Sequence, residues 1–355
     1  MRTPVTFENS SVFRNELRKR VDAYFADTKL TKRDNLRLFI KSAIMILWMA
    51  ASYYVLVFQA NHVAVMILAT ISLALSLVGI GFNIQHDGNH LSFSRKPWLN
   101  RIAGSTLDYF LGASSFMWKQ KHNIRHHPYT NIPKNDDDIN LSFMGRLAST
   151  HKYYSFHRYQ QFYLWFIYSF LHVRYLFSDF QKLIVGNVQN KKIERPKGWE
   201  LVTFIVGKVV FFGLAFAVPT ILHPVWLVII CYLATSIIIG LIFSIVFQLA
   251  HMVKETEHPS MTESIPSEWA IHQLKTTANF APRNRLLTWY LGGLNHQIEH
   301  HLFTDIAHVH YSKLAVVIQQ TCAEYGIEYN VHNTLWSAVR SHYRYLRHMG
   351  KPTSV

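Results

Sequence analysis

Four uninterrupted apolar runs decide most of what this chain can become. Residues 38–58, 63–82, 201–218 and 225–247 each approach the roughly 20 residues that carry a helix across a bilayer core. Only "QANH" (59–62) joins the first two and only "PTILHP" (219–224) the second two, so each pair is expected to form a tight helical hairpin. Lys and Arg number nine in 1–37, sixteen in 83–200 and nine in 252–355, and neither short connector has any. The positive-inside rule then places both termini and the long central segment in the cytoplasm. Lys41, near a span end, is expected to snorkel. Lys208 lies deeper and receives the same reading, the alternative being a functional charge inside the membrane.

The charge total acquires meaning within that frame. A net charge of +15 fits basic cytoplasmic segments, and a nucleic-acid partner is not expected, because the basic residues do not gather on a soluble domain with stacking aromatics. Two cysteines, Cys231 and Cys322, cannot build a disulfide framework or a thiolate metal site. The start "MRTPVTFENSS" has no early apolar stretch, so no cleaved secretory signal is expected. Segment 1–37 places Val12, Phe13, Leu17, Val21 and Tyr24 on one helical face against Arg14, Arg18, Lys19 and Arg20, the pattern of a helix lying on a membrane surface. Stretches 106–118 and 161–173 are apolar but short, and read as interfacial helices or helices packed on the bundle.

The histidines are clustered. "HDGNH" follows the second run with His86 and His90 four apart, one face of a helix. "HNIRHH" carries His122, His126 and His127, "FQLAHMV" carries His251 just past the fourth run, and "NHQIEHH" carries His296, His300 and His301. Nine of the 21 histidines thus fall in four short stretches on one expected side of the membrane. Neutral imidazole is the commonest metal ligand and suits zinc, copper, iron and nickel. A tetrahedral zinc takes four ligands. Eight or nine therefore point to two metals with positions left open.

These stretches resemble the membrane fatty acid desaturases, within them the bacterial group related to front-end and linoleoyl-CoA desaturases. The three boxes "HDGNH", "HNIRHH" and "QIEHH" carry the match, with the flanks "HHPYTN", "NDDDI", "FQLAHMVKETE", "TTANFA", "TWYLGGLNHQIEHHLF", "HVHYSKLA" and "EYGIEY". The resemblance implies an all-α integral membrane fold: four transmembrane helices under a cytosolic helical cap that holds a di-iron centre. The domain would run over 38–330, with 331–355 as a cytoplasmic tail. The implied iron ligands are His86, His90, His122, His126, His127, His251, His300 and His301. Gln297 stands where related subgroups have a histidine and resembles the front-end type; its contact with iron is left open. His296 replaces the Tyr or Phe usual in the family, so it is an extra ligand or a supporting or packing residue. Asp136 and Asp138, in the acidic stretch, suit hydrogen bonding to ligand imidazoles, with a solvated loop as the alternative. Asp87 and Glu299, inside the boxes, have the same supporting role open to them. Asn279, Trp118 and Trp289 are candidates to line an acyl channel or to serve as packing.

The implied activity is the O2-dependent insertion of a cis double bond into a fatty acyl chain carried on coenzyme A or on a lipid. No haem-binding "HPGG" occurs, so the electrons are expected from a separate ferredoxin or from cytochrome b5 with its reductase. The basic surface would meet that donor or anionic membrane lipids. Three rivals stand beside this reading: a lipid or alkyl-chain hydroxylase of the same superfamily, a zinc-dependent membrane hydrolase, and a His-rich metal transporter or sensor. The last would need ionisable residues along its spans, where only Lys41 and Lys208 occur.

Overall fold

The computed structural model describes residues 5–188, 191–192, 194–259 and 264–352. The chain folds as two compact units. One comprises residues 34–120 and 166–245; the other gathers 1–33, 121–165 and 246–355.

The first, the spanning unit, is built on four helices long and apolar enough to cross a membrane: Leu36–Gln59, Val63–Asn89, Trp199–Leu222 and Val225–His251, the last extending beyond this unit at its C-terminal end. All four are longer than the apolar runs suggest. The second and fourth continue to Asn89 and His251, so the first histidine box and His251 ride on the ends of spanning helices. The first two spans pack along each other through small and polar groups. Trp48 Nε1 donates to Ser72 Oγ at 2.9 Å and Ser52 Oγ lies 2.7 Å from the same hydroxyl. Gly79 opens a seat for Met45, whose sulfur lies 2.6 Å from where a Cβ would stand.

Helix Pro97–Phe110, with proline at its start where no N–H is needed, crosses this pair at Gly88. A Cβ on Gly88 would lie 2.4 Å from the backbone nitrogen of Gly104, so the contact is backbone against backbone. Segment 106–118 therefore packs on the bundle. Neither lysine snorkels. Lys41 is buried within reach of the Asp87 charge. Lys208 donates to Gly112 O at 2.6 Å and pairs with Asp179 at 3.0 Å, while Asp179 also accepts from Ser114 N at 2.6 Å. This lysine carries its own counter-ion within the span, and the pair ties the loop after Phe110 to two helices.

The second unit is a helical body with its own core. Helix Val12–Thr28 turns Phe13, Leu17, Val21 and Phe25 into a cluster with Ala270, Leu274, Ile298, Leu314 and Ile318. This corrects the membrane-surface reading of that helix: its apolar stripe is spent on protein. Val12, expected on the stripe, is 66% exposed, and Phe25 takes the buried position. Each such aliphatic side chain contributes roughly 1.5–3 kcal/mol by burial. The N-terminus of the helix is tied down by Glu268, which accepts from Phe13 N and Arg14 N. Two short parallel strand pairs close the body, Thr6–Phe7 beside Ser264–Ile265 and Asn279–Phe280 beside Val331–His332. Beyond residue 331, helix Leu335–Met349 buries Ala338, His342, Tyr345 and Leu346 and starts at Thr334, which caps Ser337 N at 3.0 Å.

Candidate metal centre

Within the second unit the chain's histidines converge on a buried site from three directions. The last residue of the fourth span brings His251, and helix Gln297–Leu302 brings His300 and His301. The third contribution has an unusual local geometry. Residues His122–His126 form one wide π turn, in which His127 N bonds back to His122 O at 3.0 Å. Residues five apart then share a face, and the Nε2 atoms of His122 and His127 stand 3.1 Å apart. Two imidazoles on neighbouring positions of one metal, each at about 2.1 Å, would place their nitrogens about 3 Å apart.

The two His-His dyads each split. His126 stands with His251 and His301, ring centroids 4.8 and 5.0 Å away, and those two are 4.7 Å from each other. His127 stands with His122 at 4.6 Å and His300 at 4.7 Å. Consecutive helical residues diverge by about 100°, so each dyad delivers one ring to each of two neighbouring sets. His127 and His301, 4.4 Å apart, are where the sets meet.

The tautomers in the first set are fixed by oxygen. His126 Nδ1–H donates to Asp136 Oδ2 at 3.0 Å, His301 Nδ1–H to Gln273 Oε1 at 2.9 Å, and His251 Nδ1–H to the Thr276 carbonyl at 3.2 Å. A lone pair is thereby left on each Nε2, the arrangement of metal-bound imidazoles. His251 Nε2 is buried with no hydrogen-bond partner among the described residues. Burying such an atom is costly unless something accepts its lone pair. A cation fits this donor set, and His126, His251 and His301 can hold it. Asp136 is itself held by the N–H groups of Asn131 and Asp138. At His126, burial opposes protonation, but the carboxylates of Asp136 and Asp138 outweigh it and hold the imidazole above its usual range.

The three aspartates divide their work. Asp136 orients His126, Asp137 pairs with Arg125, and Asp138 pairs with Lys121. Glu299 turns away from the ligand rings, accepting from Asn279 Nδ2 at 2.8 Å and Tyr329 OH at 2.6 Å. Burial and that carboxylate hold the Tyr329 hydroxyl protonated, so it remains the donor. Asn279 also caps Ile298 N at 2.9 Å, which makes it a brace for helix Gln297–Leu302. His296 is buried at the start of that helix, 3.6 Å from Glu299 and outside both ring sets. Gln297 lies on the same helix one turn before His300 and His301, its Nε2 buried without a hydrogen-bond partner among the described residues.

In the spanning unit, His86 and His90 lie side by side, ring centroids 4.6 Å apart, with Trp118 edge-on to both. Another wide turn, Gly81–Gln85, precedes them, and Asp87 comes within 3.9 Å of His86 Nδ1.

Several supporting residues were not singled out by the sequence. Gln273 orients His301. Tyr311 OH sits 3.2 Å from His300 Nδ1. Asn131 Nδ2 lies within 3.2 Å of three carbonyl oxygens, those of His251, Glu257 and Thr276. Asn131 and Tyr311 stand in the flanks "HHPYTN" and "HVHYSKLA", and Thr276 in "TTANFA", so the signal was present but without a role.

The comparisons with known proteins decide the family. The model of the family described as "Fatty acid desaturase" matches residues 61–333. The chain belongs to the fatty acid desaturases. It is similar to an sn-1 linoleoyl-lipid 6-desaturase of Synechocystis sp., 37% identical over 98% of both chains. It is also similar to an sn-1 linoleoyl-lipid 6-desaturase of Arthrospira platensis, 35% identical over 97% of this chain and 94% of the relative. An acyl-lipid (8-3)-desaturase of Physcomitrium patens is 32% identical over 94% of this chain and 71% of its own. This desaturase is thus an oxidoreductase and an integral membrane protein acting on fatty acyl chains.

Proposed function

We propose that this desaturase introduces a cis double bond on the carboxyl side of an existing one, in a linoleoyl chain esterified to a membrane lipid. The reading rests on Gln297 in the third box, which resembles the front-end type, and on the linoleoyl-lipid named for two full-length relatives. The ligands would be His122, His126, His127, His251, His300 and His301, joined by His86 and His90 of the first box. Iron bound by them would supply the activation of O2 for removing one hydrogen from each of two adjacent methylenes. The observation that supports the metal is the trio His126, His251 and His301, each Nδ1 engaged by oxygen and the three close enough together to share one cation.

The chain's own contribution is positional. Asp136, Gln273 and the Thr276 carbonyl keep three neutral rings in the one tautomer that turns Nε2 to a metal. Asn279 and Glu299 hold the third-box helix in place. Placing one methylene at a fixed site is what sets regioselectivity in such chemistry. The termini and the site lie in the cytoplasm by the distribution of Lys and Arg, and a separate ferredoxin or cytochrome b5 delivers the electrons.

The test is the fatty acid profile of a host that makes linoleoyl lipids and expresses the chain. Gas chromatography with mass spectrometry should find a new double bond on the carboxyl side, absent with His300→Ala. A new bond on the methyl side overturns the front-end assignment. A hydroxylated chain overturns desaturation.

A further inference from the structure

The spanning unit contains a cavity of about 110 Å³ remote from any histidine box, lined by Met66, Leu73, Leu77, Phe211, Val228 and Tyr232 among others. Apolar cavities of similar size, about 150 Å³, stay dry and take up hydrocarbons. Its shape is a slot: from Met66 to Leu77 the second span rises roughly 16 Å at about 1.5 Å per residue. Of the polar side chains around it, His172, Tyr53 and His223 are spent on protein. Both nitrogens of His172 are engaged, by Ser236 Oγ and Leu111 O. Tyr53 OH donates to Leu214 O and His223 Nε2–H to Val57 O, each at 2.8 Å.

Those last two bonds show that the slot is framed. Leu214 and Val57 lie in π turns, Gly213–Ala217 and Val55–Gln59, where the wide turn loosens the backbone ladder. The bonds tie the first span to the helix and connector around residues 214–223, so the far end is braced while the middle is left open. Toward the first box the slot is closed. Phe82 packs edge-on against Phe243 at 4.8 Å, and Gly81 is in such tight contact with the Phe243 ring that a Cβ would come within 2.4 Å of it. That packed layer stands between Leu77 and His86 on the same helix.

We propose that this slot binds one alkyl chain of a bilayer phospholipid, a lipid that is held by the enzyme and is not its substrate. An elongated, largely apolar site inside a spanning bundle, closed toward the first box, suits a hydrocarbon tail.

The test uses the full-length protein in nanodiscs containing a phosphatidylcholine whose saturated chain ends in a diazirine. After irradiation, peptide mass spectrometry should find adducts on Leu73, Leu77, Val228 or Tyr232 besides those on the outward-facing Leu68 and Ile230. Val228→Trp, and separately Leu73→Trp, should lose the slot adducts while keeping the outward ones and desaturation. Excess unlabelled linoleoyl lipid should leave the slot adducts unchanged. Adducts confined to outward positions would overturn the proposal, as would slot adducts that survive both fillings. Displacement by linoleoyl lipid would also overturn it, by assigning the slot to the substrate's chain.

Discussion

Asp136 and Asp137 are neighbours with the same charge, yet only Asp136 touches a ligand ring. Asp136→Ala should lower metal content and turnover by about 10–100-fold, the usual effect of removing a partner that orients a metal-bound imidazole. Asp137→Ala should have little effect on either, and metal analysis of the two purified variants measures the contrast. Gln273→Leu should behave like Asp136→Ala, because His301 loses its acceptor. Asp136 was legible as a candidate because it stands in a recognisable acidic stretch. Gln273 was not, since an uncharged side chain between Leu and His carries no mark of its role until the fold brings it to His301. Glu299, inside a box but on a helix face turned away from the neighbouring ligands, takes a supporting place by bonding Asn279 and Tyr329.

At the scale of elements, apolar length gave the number and order of the spans but not their ends. The helices run on into polar sequence at Asn89 and His251, and hydropathy does not register it. The wide turns at 81–85 and 122–126 were likewise invisible, being set by tertiary packing and not by any residue type. Two changes probe the helix contacts. Gly88→Ala should disrupt the crossing with helix Pro97–Phe110, shift His86 and His90, and lower the thermal midpoint in detergent, since the added carbon meets backbone that cannot yield. Lys208→Met leaves the Asp179 carboxyl without its buried cation, and should destabilise by about 3–5 kcal/mol. The double variant Lys208→Met, Asp179→Asn should recover a large part of that loss, because the amide oxygen can still accept from Ser114 N. Unfolding curves of the three variants in one detergent decide it.

For the whole molecule, stability should depend on pH through buried histidines outside the ligand set. His272 donates to Thr130 O and His342 to Met252 O, and burial pushes both down to about 4. The unfolded chain binds protons on them at about 6.5, so between these values it holds more protons than the native state. Their contribution is complete above about pH 6.5 and is lost as pH falls toward 4, about 2 kcal/mol per histidine at pH 5. A lower melting temperature at pH 5 than at pH 7.5, with part of the difference removed by His342→Asn, is the expected result. The family and its chemistry were legible from three boxes because ligand identity is written residue by residue. The division into two units was not, since it joins residues 1–33 to segments that begin only at residues 121 and 246.

The split dyads carry one more consequence. His126 and His127 serve different ring sets, and so do His300 and His301. Neighbouring Cα atoms are held 3.8 Å apart by covalent bonds, so two peptide links act as rulers between the sets. The two links bound how far the ring sets can separate, whatever the packing around them does.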